Sequence, residues 1–261
     1  MISARSLVRF AASFTIAMFP AACSAASPPA EGDPFASARE RMVSAQIEAR
    51  GVRDPAVLKA LREVPRHLFV PESLRGRAYD DHPLPIGLGQ TISQPYIVAL
   101  MTELSRPRAG MKVLEVGTGS GYQAAVLGKI VGVVHTIEIL PDLGRRAKAT
   151  LDALGYRNVH VTVGDGFDGR PQDAPFDAIV VTAAPDTIPP PLLEQLALGG
   201  RLVIPVGSAD QELVVVTRTE GGYRRESVIP VRFVPMTGKA ERLLGAVVDR
   251  VQRGRCLLAP A

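Results

Sequence analysis

Val113-Leu114-Glu115-Val116-Gly117-Thr118-Gly119-Ser120-Gly121 opens the regular part of this chain. Three residues of β-branched and aliphatic character, interrupted by Glu115, give way to glycines at alternate positions. A short apolar run bounded by glycine suits a strand buried on both faces. The stretch after it, residues 122–130, has helical character, so the glycines form a tight strand-to-helix turn. Outward from this turn the alternation repeats. Residues 133–137, 159–163, 176–182 and 202–206 read as further buried strands, and residues 143–154 and 192–198 as helices between them. Residues 213–217 and 227–233 are later strands, antiparallel because the short turn Glu220-Gly221-Gly222 separates them. Alternating strands and helices imply an α/β fold: a doubly wound, mostly parallel sheet with helices on both faces and antiparallel C-terminal strands.

Ahead of the glycine turn, residues 40–50 have helical spacing, and Asp54-Pro55 pairs a capping residue with a proline at the first helical position, starting a helix to about Glu63. Residues 71–90, rich in proline and glycine, read as loop. Ser93-Gln94-Pro95 repeats the cap-then-proline signal before an apolar helix over residues 96–104. No linker divides the chain after Pro34. Residues 35–240 are therefore expected to form one domain, with N-terminal helices and a substrate loop over 35–110 and the sheet over 111–240.

Composition excludes little but excludes some things clearly. The chain has 261 residues, 46% of them apolar and 21% charged, with a net charge of +4. Two cysteines cannot form a disulfide framework. Four scattered histidines, His67, His82, His135 and His160, show no ligand spacing, so no metal is expected. No basic run marks a nucleic-acid surface. Residues 1–34 begin with Arg5 and Arg9, an uncharged stretch and Pro20-Ala21-Ala22-Cys23. A secretory or lipoprotein signal and a disordered leader both fit; the apolar stretch is too short for a stable membrane span. Residues 241–261 are a tail, with an amphipathic helix compatible over 240–258.

In open α/β sheets, ligands bind beyond the carboxyl ends of the strands, which directs attention to the loops. Gly117, Gly119 and Gly121 allow a sharp turn and close approach of a ligand to the main chain. Their spacing is Gly-x-Gly-x-Gly, not the Gly-x-Gly-x-x-Gly of a pyrophosphate site. Glu138 ends the second strand, 21 residues beyond Gly117, a distance at which an acid accepts hydrogen bonds from ribose hydroxyls. Asp165 and Gly166 follow the third strand, where they can meet an adenine ring. Glu115 is the most telling of the set: a carboxylate at the end of an apolar strand is costly to bury without a cationic or hydrogen-bonding partner. The ammonium of a methionine moiety would serve. Together these residues resemble the S-adenosylmethionine site of Rossmann-like methyltransferases. After the fourth strand, Val181-Thr182-Ala183-Ala184-Pro185 lacks the Asn/Asp-Pro-Pro-Tyr/Phe motif of enzymes that methylate bases.

A closer resemblance spans about residues 38–239. Val64-Pro65-Arg66-His67-Leu68-Phe69-Val70-Pro71, Gly89-Gln90-Thr91-Ile92-Ser93-Gln94-Pro95-Tyr96, Leu114 to Tyr122, Gly164-Asp165-Gly166, Thr182-Ala183-Ala184 and Val231-Arg232-Phe233-Val234-Pro235 are similar to the protein-L-isoaspartate O-methyltransferases. The resemblance implies methyl transfer from S-adenosyl-L-methionine, with no metal, to the free carboxylate of L-isoaspartyl residues in damaged proteins and peptides. The ester then closes to a succinimide, whose hydrolysis returns part of the material to normal aspartate. Ser93 matches the family's active-site serine, with a hydroxyl or a helix-start backbone that can donate to the substrate carboxylate. Thr91, Gln94 and Pro95 are expected to shape the same pocket. Asp80-Asp81-His82 reads as a solvated loop and His67 as a packed, hydrogen-bonded residue. The resemblance further implies a monomer without a nucleic-acid partner. Cytoplasmic action is expected because the methyl donor is made in the cytosol, with an exported or lipid-anchored protein as the alternative. A methyltransferase of small molecules or RNA on the same fold would keep the glycine loop and Glu138 without needing Thr91 to Pro95; a cofactor-binding module without activity is a third reading.

Overall fold

The computed structural model describes residues 32–243; the leader and most of the tail lie outside the described residues. The chain divides into a short unit, Met1–Pro34, and a large one from Phe35 on. In the large unit, α1 (Ala36–Arg41) runs through a π-helical turn, Met42–Ile47, into a 3₁₀ turn, Glu48–Arg50. The single helix expected over residues 40–50 is thus present in altered form, and Gly51, at φ +98°, ends it. α2 (Pro55–Glu63) begins as its sequence requires: Asp54 Oδ1 accepts from the backbone of Ala56 at 2.8 Å and of Val57 at 3.1 Å.

The loop expected over residues 71–90 contains structure. A 3₁₀ turn, Glu72–Arg77, precedes a hairpin of β1 (Leu84–Gly87) and β2 (Gln90–Ile92). α3 (Pro95–Leu104) follows, but Gln94 occupies the cap position, without a side-chain cap bond, and Ser93 lies one residue earlier.

β3 (Lys112–Val116), α4 (Tyr122–Gly128), β4 (Val133–Glu138), α5 (Pro141–Ala153), β5 (Val159–Val163), β6 (Phe176–Val181), α6 (Pro190–Glu194), β7 (Leu196–Val206), β8 (Gln211–Thr219) and β9 (Gly222–Val231) complete the domain. The strands form one sheet in the order β5-β4-β3-β6-β7-β8-β9. The first five are parallel, and β8 and β9 are antiparallel additions, as their short connection implied. Residues 196–198, expected in a helix, belong to β7: the backbone of Phe176 donates to Gln195 O at 2.8 Å and pairs the chain early.

Strand alternation builds two cores. Val113, Val134, Ala178, Val180 and Val203 point to the face covered by α2, α3 and α4. Leu114, Val116, Ile179, Val181 and Leu202 point to the other, against Phe167, Leu192 and Met236. With β4 and β6 on opposite flanks of β3, the chain reverses direction of winding at β3, leaving a crevice beyond its carboxyl end. Among the described residues no helix is long and apolar enough to cross a membrane.

Candidate active site

The crevice is real and furnished. A cavity of about 90 Å³ opens beyond β3, β4 and β5, lined by Glu115, Gly117, Gly119, Glu138, Asp165 and Gly166 together with Ser93 and Thr91. The glycines are there for reasons the geometry makes specific. Gly117 has φ +95°, and a Cβ on it would lie 2.4 Å from Thr182 Oγ1. A Cβ on Gly166 would lie 2.4 Å from Val116 Cγ1. Gly121 has a different duty from the one its motif suggested. It caps α4 at φ +88° and packs on Leu151 of α5, 3.2 Å from a built Cβ, outside the cavity lining. It permits helix-to-helix approach.

Glu115 is fully buried. Thr136 Oγ1 donates to its Oε2, and Thr118 Oγ1 lies 2.6 Å from Thr136 Oγ1. Its Oε1 is buried with no partner among the described residues. Burial pushes the carboxyl up to about 8, against the Thr136 hydrogen bond, with the neighbouring Glu138 adding to the rise. A buried carboxyl oxygen without a partner, on a residue that lines the cavity, is a fitting acceptor for an ammonium group. Glu138 is held by two backbone donors, Gly119 N at 2.8 Å and Leu140 N at 3.0 Å. Each oxygen keeps a lone pair free, so the carboxylate can still receive two hydroxyls. Asp165 caps the following turn through Phe167 N at 3.0 Å. Its second oxygen accepts Lys239 N at 2.7 Å, with Arg242 Nη2 at 3.6 Å.

Those last contacts belong to a feature the sequence did not suggest. After β9 the chain crosses the cavity mouth as a strap. Ala184 N donates to Val234 O and Met236 N to Ala184 O, both at 2.8 Å, and Val234 to Thr237 line the cavity. No local pattern marks such a segment, because its partners lie in loops far away in the sequence.

A second cavity, about 530 Å³, shares Thr91, Ser93, Thr182 and Val234 with the first and continues past Gln94, Tyr96 and Arg50. Ser93 therefore stands at the junction, and its hydroxyl makes no hydrogen bond to the described residues. Gln94 Nε2 donates to Asp81 Oδ1 at 2.8 Å, and Arg50 pairs with Asp81 at 3.2 Å while stacking 3.6 Å from the Tyr96 ring centroid. Pro95 lines neither cavity; it is buried at the first position of α3 and contributes by starting that helix. His67 packs on Phe35 at 4.2 Å and bonds the Tyr79 hydroxyl at 2.8 Å, away from the cavities. Among the described residues no group of three His, Cys, Asp or Glu side chains is placed to hold a metal.

Known proteins share this arrangement. The family profile of protein-L-isoaspartate(D-aspartate) O-methyltransferases matches residues 37–241. A protein-L-isoaspartate O-methyltransferase of Picosynechococcus sp. is 58% identical over 206 residues, covering 79% of this chain and 93% of that one. A solved structure of the same name superposes with a TM-score of 0.72 at 32% identity, covering 85% of this chain and 71% of the other. A Plasmodium falciparum chain, crystallised in complex with S-adenosyl-L-homocysteine, superposes at 0.68 with 24% identity, covering 76% and 98%, and speaks for the fold. With a profile matched from α1 to the strap and the cavity residues inside it, the chain belongs to the protein-L-isoaspartate(D-aspartate) O-methyltransferase family.

Proposed function

We propose that this chain transfers a methyl group from S-adenosyl-L-methionine to the free carboxylate of L-isoaspartyl residues in damaged proteins and peptides, beginning their repair. The observation that carries the reading is the junction: a cavity with determinants for a methionine-bearing nucleoside and a second cavity open to a chain meet at Ser93 and Thr182. Glu115 would accept the ammonium, the backbone at Gly117 and Gly119 would admit the donor closely, and Glu138 would take the ribose hydroxyls. Asp165 and Gly166 would border the adenine.

When bound, S-adenosyl-L-methionine supplies an activated methyl group: the carboxylate oxygen forms the new bond to carbon while the carbon–sulfur pair stays on sulfur. A carboxylate is ionised at neutral pH, so no general base is needed. The protein's task is alignment, which can supply roughly 7–11 kcal/mol. Ser93 Oγ, with no partner among the described residues, would donate to the carboxylate and hold it at the junction, and the start of α3 favours the anion. Thr91 and Gln94 would flank the peptide, Gln94 from its anchor on Asp81. The strap and the β1–β2 hairpin would keep water from the reacting atoms. The reading includes a monomer that uses no nucleic acid and acts in the cytoplasm, where the methyl donor is made.

The test is transfer of label from methyl-labelled donor into an isoaspartyl peptide, the same peptide with normal aspartate, and RNA. Base-labile label in the isoaspartyl peptide only is expected. Label in RNA, or in both peptides equally, would overturn the reading.

A further inference from the structure

Arg66 is fully buried, yet among the described residues no carboxylate lies within ion-pairing distance of it, and the charged or titratable groups that act on it are tyrosines. Its contacts tie the cavity-lining residues Ser93 and Tyr122 to a turn at Ala78 that lies outside the lining. Nε donates to Ala78 O at 2.7 Å, and Nη2 donates to Ser93 O at 2.8 Å. The guanidinium carbon lies 4.9 Å from the centroid of the Tyr122 ring. Tyr122 opens α4 directly after the glycine turn, and both it and Ser93 line the first cavity. Nη1 of Arg66 and the Tyr122 hydroxyl are both buried, and the Tyr122 hydroxyl acts on the guanidinium as a hydrogen-bonding neighbour rather than as a counter-charge.

Burying a cation without a counter-charge is costly, and backbone carbonyls offset only part of that cost. Holding the Ser93 segment does not by itself call for a charge, since a neutral donor could bond the same carbonyls. A buried guanidinium next to a site for an anionic substrate makes physical sense when the anion supplies the missing counter-charge. In a water-poor interior such a charge acts across several ångströms. Its rigid fork also suits two carbonyls at fixed angles in a way that an ammonium does not.

We infer that Arg66 is a positioning residue that clamps the Ser93 segment against the turn at Ala78 and supplies the positive potential by which the site prefers a carboxylate to its neutral analogue. The inference rests on the reading above, in which the substrate carboxylate lies at Ser93.

The experiment compares wild type, Arg66→Lys and Arg66→Met with two ligands: an isoaspartyl peptide as substrate, and the matching isoasparaginyl peptide, a neutral amide, as competitive inhibitor. Affinity for S-adenosylhomocysteine is measured alongside by calorimetry. Arg66→Met is expected to lower kcat at least 100-fold and to reduce the preference for carboxylate over amide at least tenfold. Arg66→Lys should retain most of that preference while its kcat stays at least tenfold below wild type. Cofactor affinity should change less than threefold in both. The inference is overturned if the two variants weaken carboxylate and amide peptides equally, or if Arg66→Lys has the kcat of wild type. If Arg66→Met does not fold, the kcat and preference of Arg66→Lys decide. A wild-type protein that methylates no isoaspartyl peptide would sink the functional reading instead, so the two failures are distinguishable.

Discussion

Glu115 lines the first cavity with one oxygen on Thr136 and the other unpartnered among the described residues, its acidity weakened first by burial. A cation arriving at the free oxygen favours the ionised form, so binding should expel a proton wherever the carboxyl was protonated beforehand. Affinity for S-adenosylhomocysteine, which carries the same ammonium, should therefore rise from pH 6 to about 8 and level off above. Calorimetry in buffers of different ionisation enthalpy should register the released proton. Glu115→Gln removes a charged hydrogen bond of about 1.5–3 kcal/mol, which corresponds to roughly 10–100-fold in affinity. It should also flatten the pH dependence; a pH slope that survives the substitution would place the titrating group elsewhere. Ser93→Ala differs in kind. Its hydroxyl would meet the substrate, so kcat with isoaspartyl peptide should drop about 10–100-fold while cofactor affinity stays put. Unchanged turnover would remove Ser93 from the mechanism. At this scale the strand-end glycines and acids could be singled out as candidates from sequence, and the structure brings Glu115, Gly117, Gly119, Glu138, Asp165 and Gly166 to one cavity. Gly121, expected at the cofactor, lies outside the cavity lining against Leu151, since a glycine suited to packing and one suited to a ligand look alike in sequence. The contacts of Thr136 with Glu115 and of Arg66 with Ser93 could not be foreseen: a threonine in a strand and an arginine beside a proline each have bland readings, and only tertiary contact selects between them.

Among the elements, the parallel strands could be read from sequence because strands buried on both faces need continuous apolar runs. The β1–β2 hairpin could not. Its two-residue turn requires positive φ at both central positions, and these are Leu88 at 55° and Gly89 at 72°. Leucine seldom adopts that conformation, so the usual turn signal is missing. The strap escaped for a related reason: its hold on Ala184 and Asp165 is entirely long-range. Gly238 is the residue on which the strap turns. It has φ +78°, and a Cβ there would lie 2.5 Å from Asp165 Oδ2 and 2.6 Å from Ile139 Cδ1, both on residues lining the cofactor cavity. Gly238→Ala must lift the strap or push those two side chains inward. A backbone conformation poorly suited to alanine adds about 1 kcal/mol or more of destabilisation. Cofactor affinity is expected to fall about tenfold, mainly through faster release in stopped-flow displacement. A release rate equal to wild type would mean that the strap does not govern access to the cavity.

For the whole molecule, the same buried carboxyl links stability to pH. The Glu115 carboxyl titrates near 4.5 in the unfolded chain and near 8 when folded. Between those values the folded protein holds a proton that the unfolded chain releases, so the Glu115 contribution to stability is complete below about pH 4.5 and declines until about pH 8. The size of this decline is on the order of a few kcal/mol, a sizeable part of the 5–15 kcal/mol typical of a domain. His135 works in the other direction. Burial holds its pKa below the ordinary 6.5, so its contribution is lost as pH falls from about 6.5, and the two effects oppose each other in acid. The clean window for Glu115 is therefore pH 6.5 to 8. There the melting temperature without cofactor should fall as pH rises, and in Glu115→Gln it should be nearly level. Cofactor at 100 times its Kd adds about 2.7 kcal/mol, or roughly 5–10 °C for a chain of this size. At a fixed cofactor concentration that gain should be larger at pH 8 than at pH 6.5, because in the proposed reading it is the ionised carboxyl that would receive the ammonium. Parallel melting curves for wild type and Glu115→Gln across this window would show that Glu115 is already ionised in the folded protein, and that the cation it accepts is not what sets its charge.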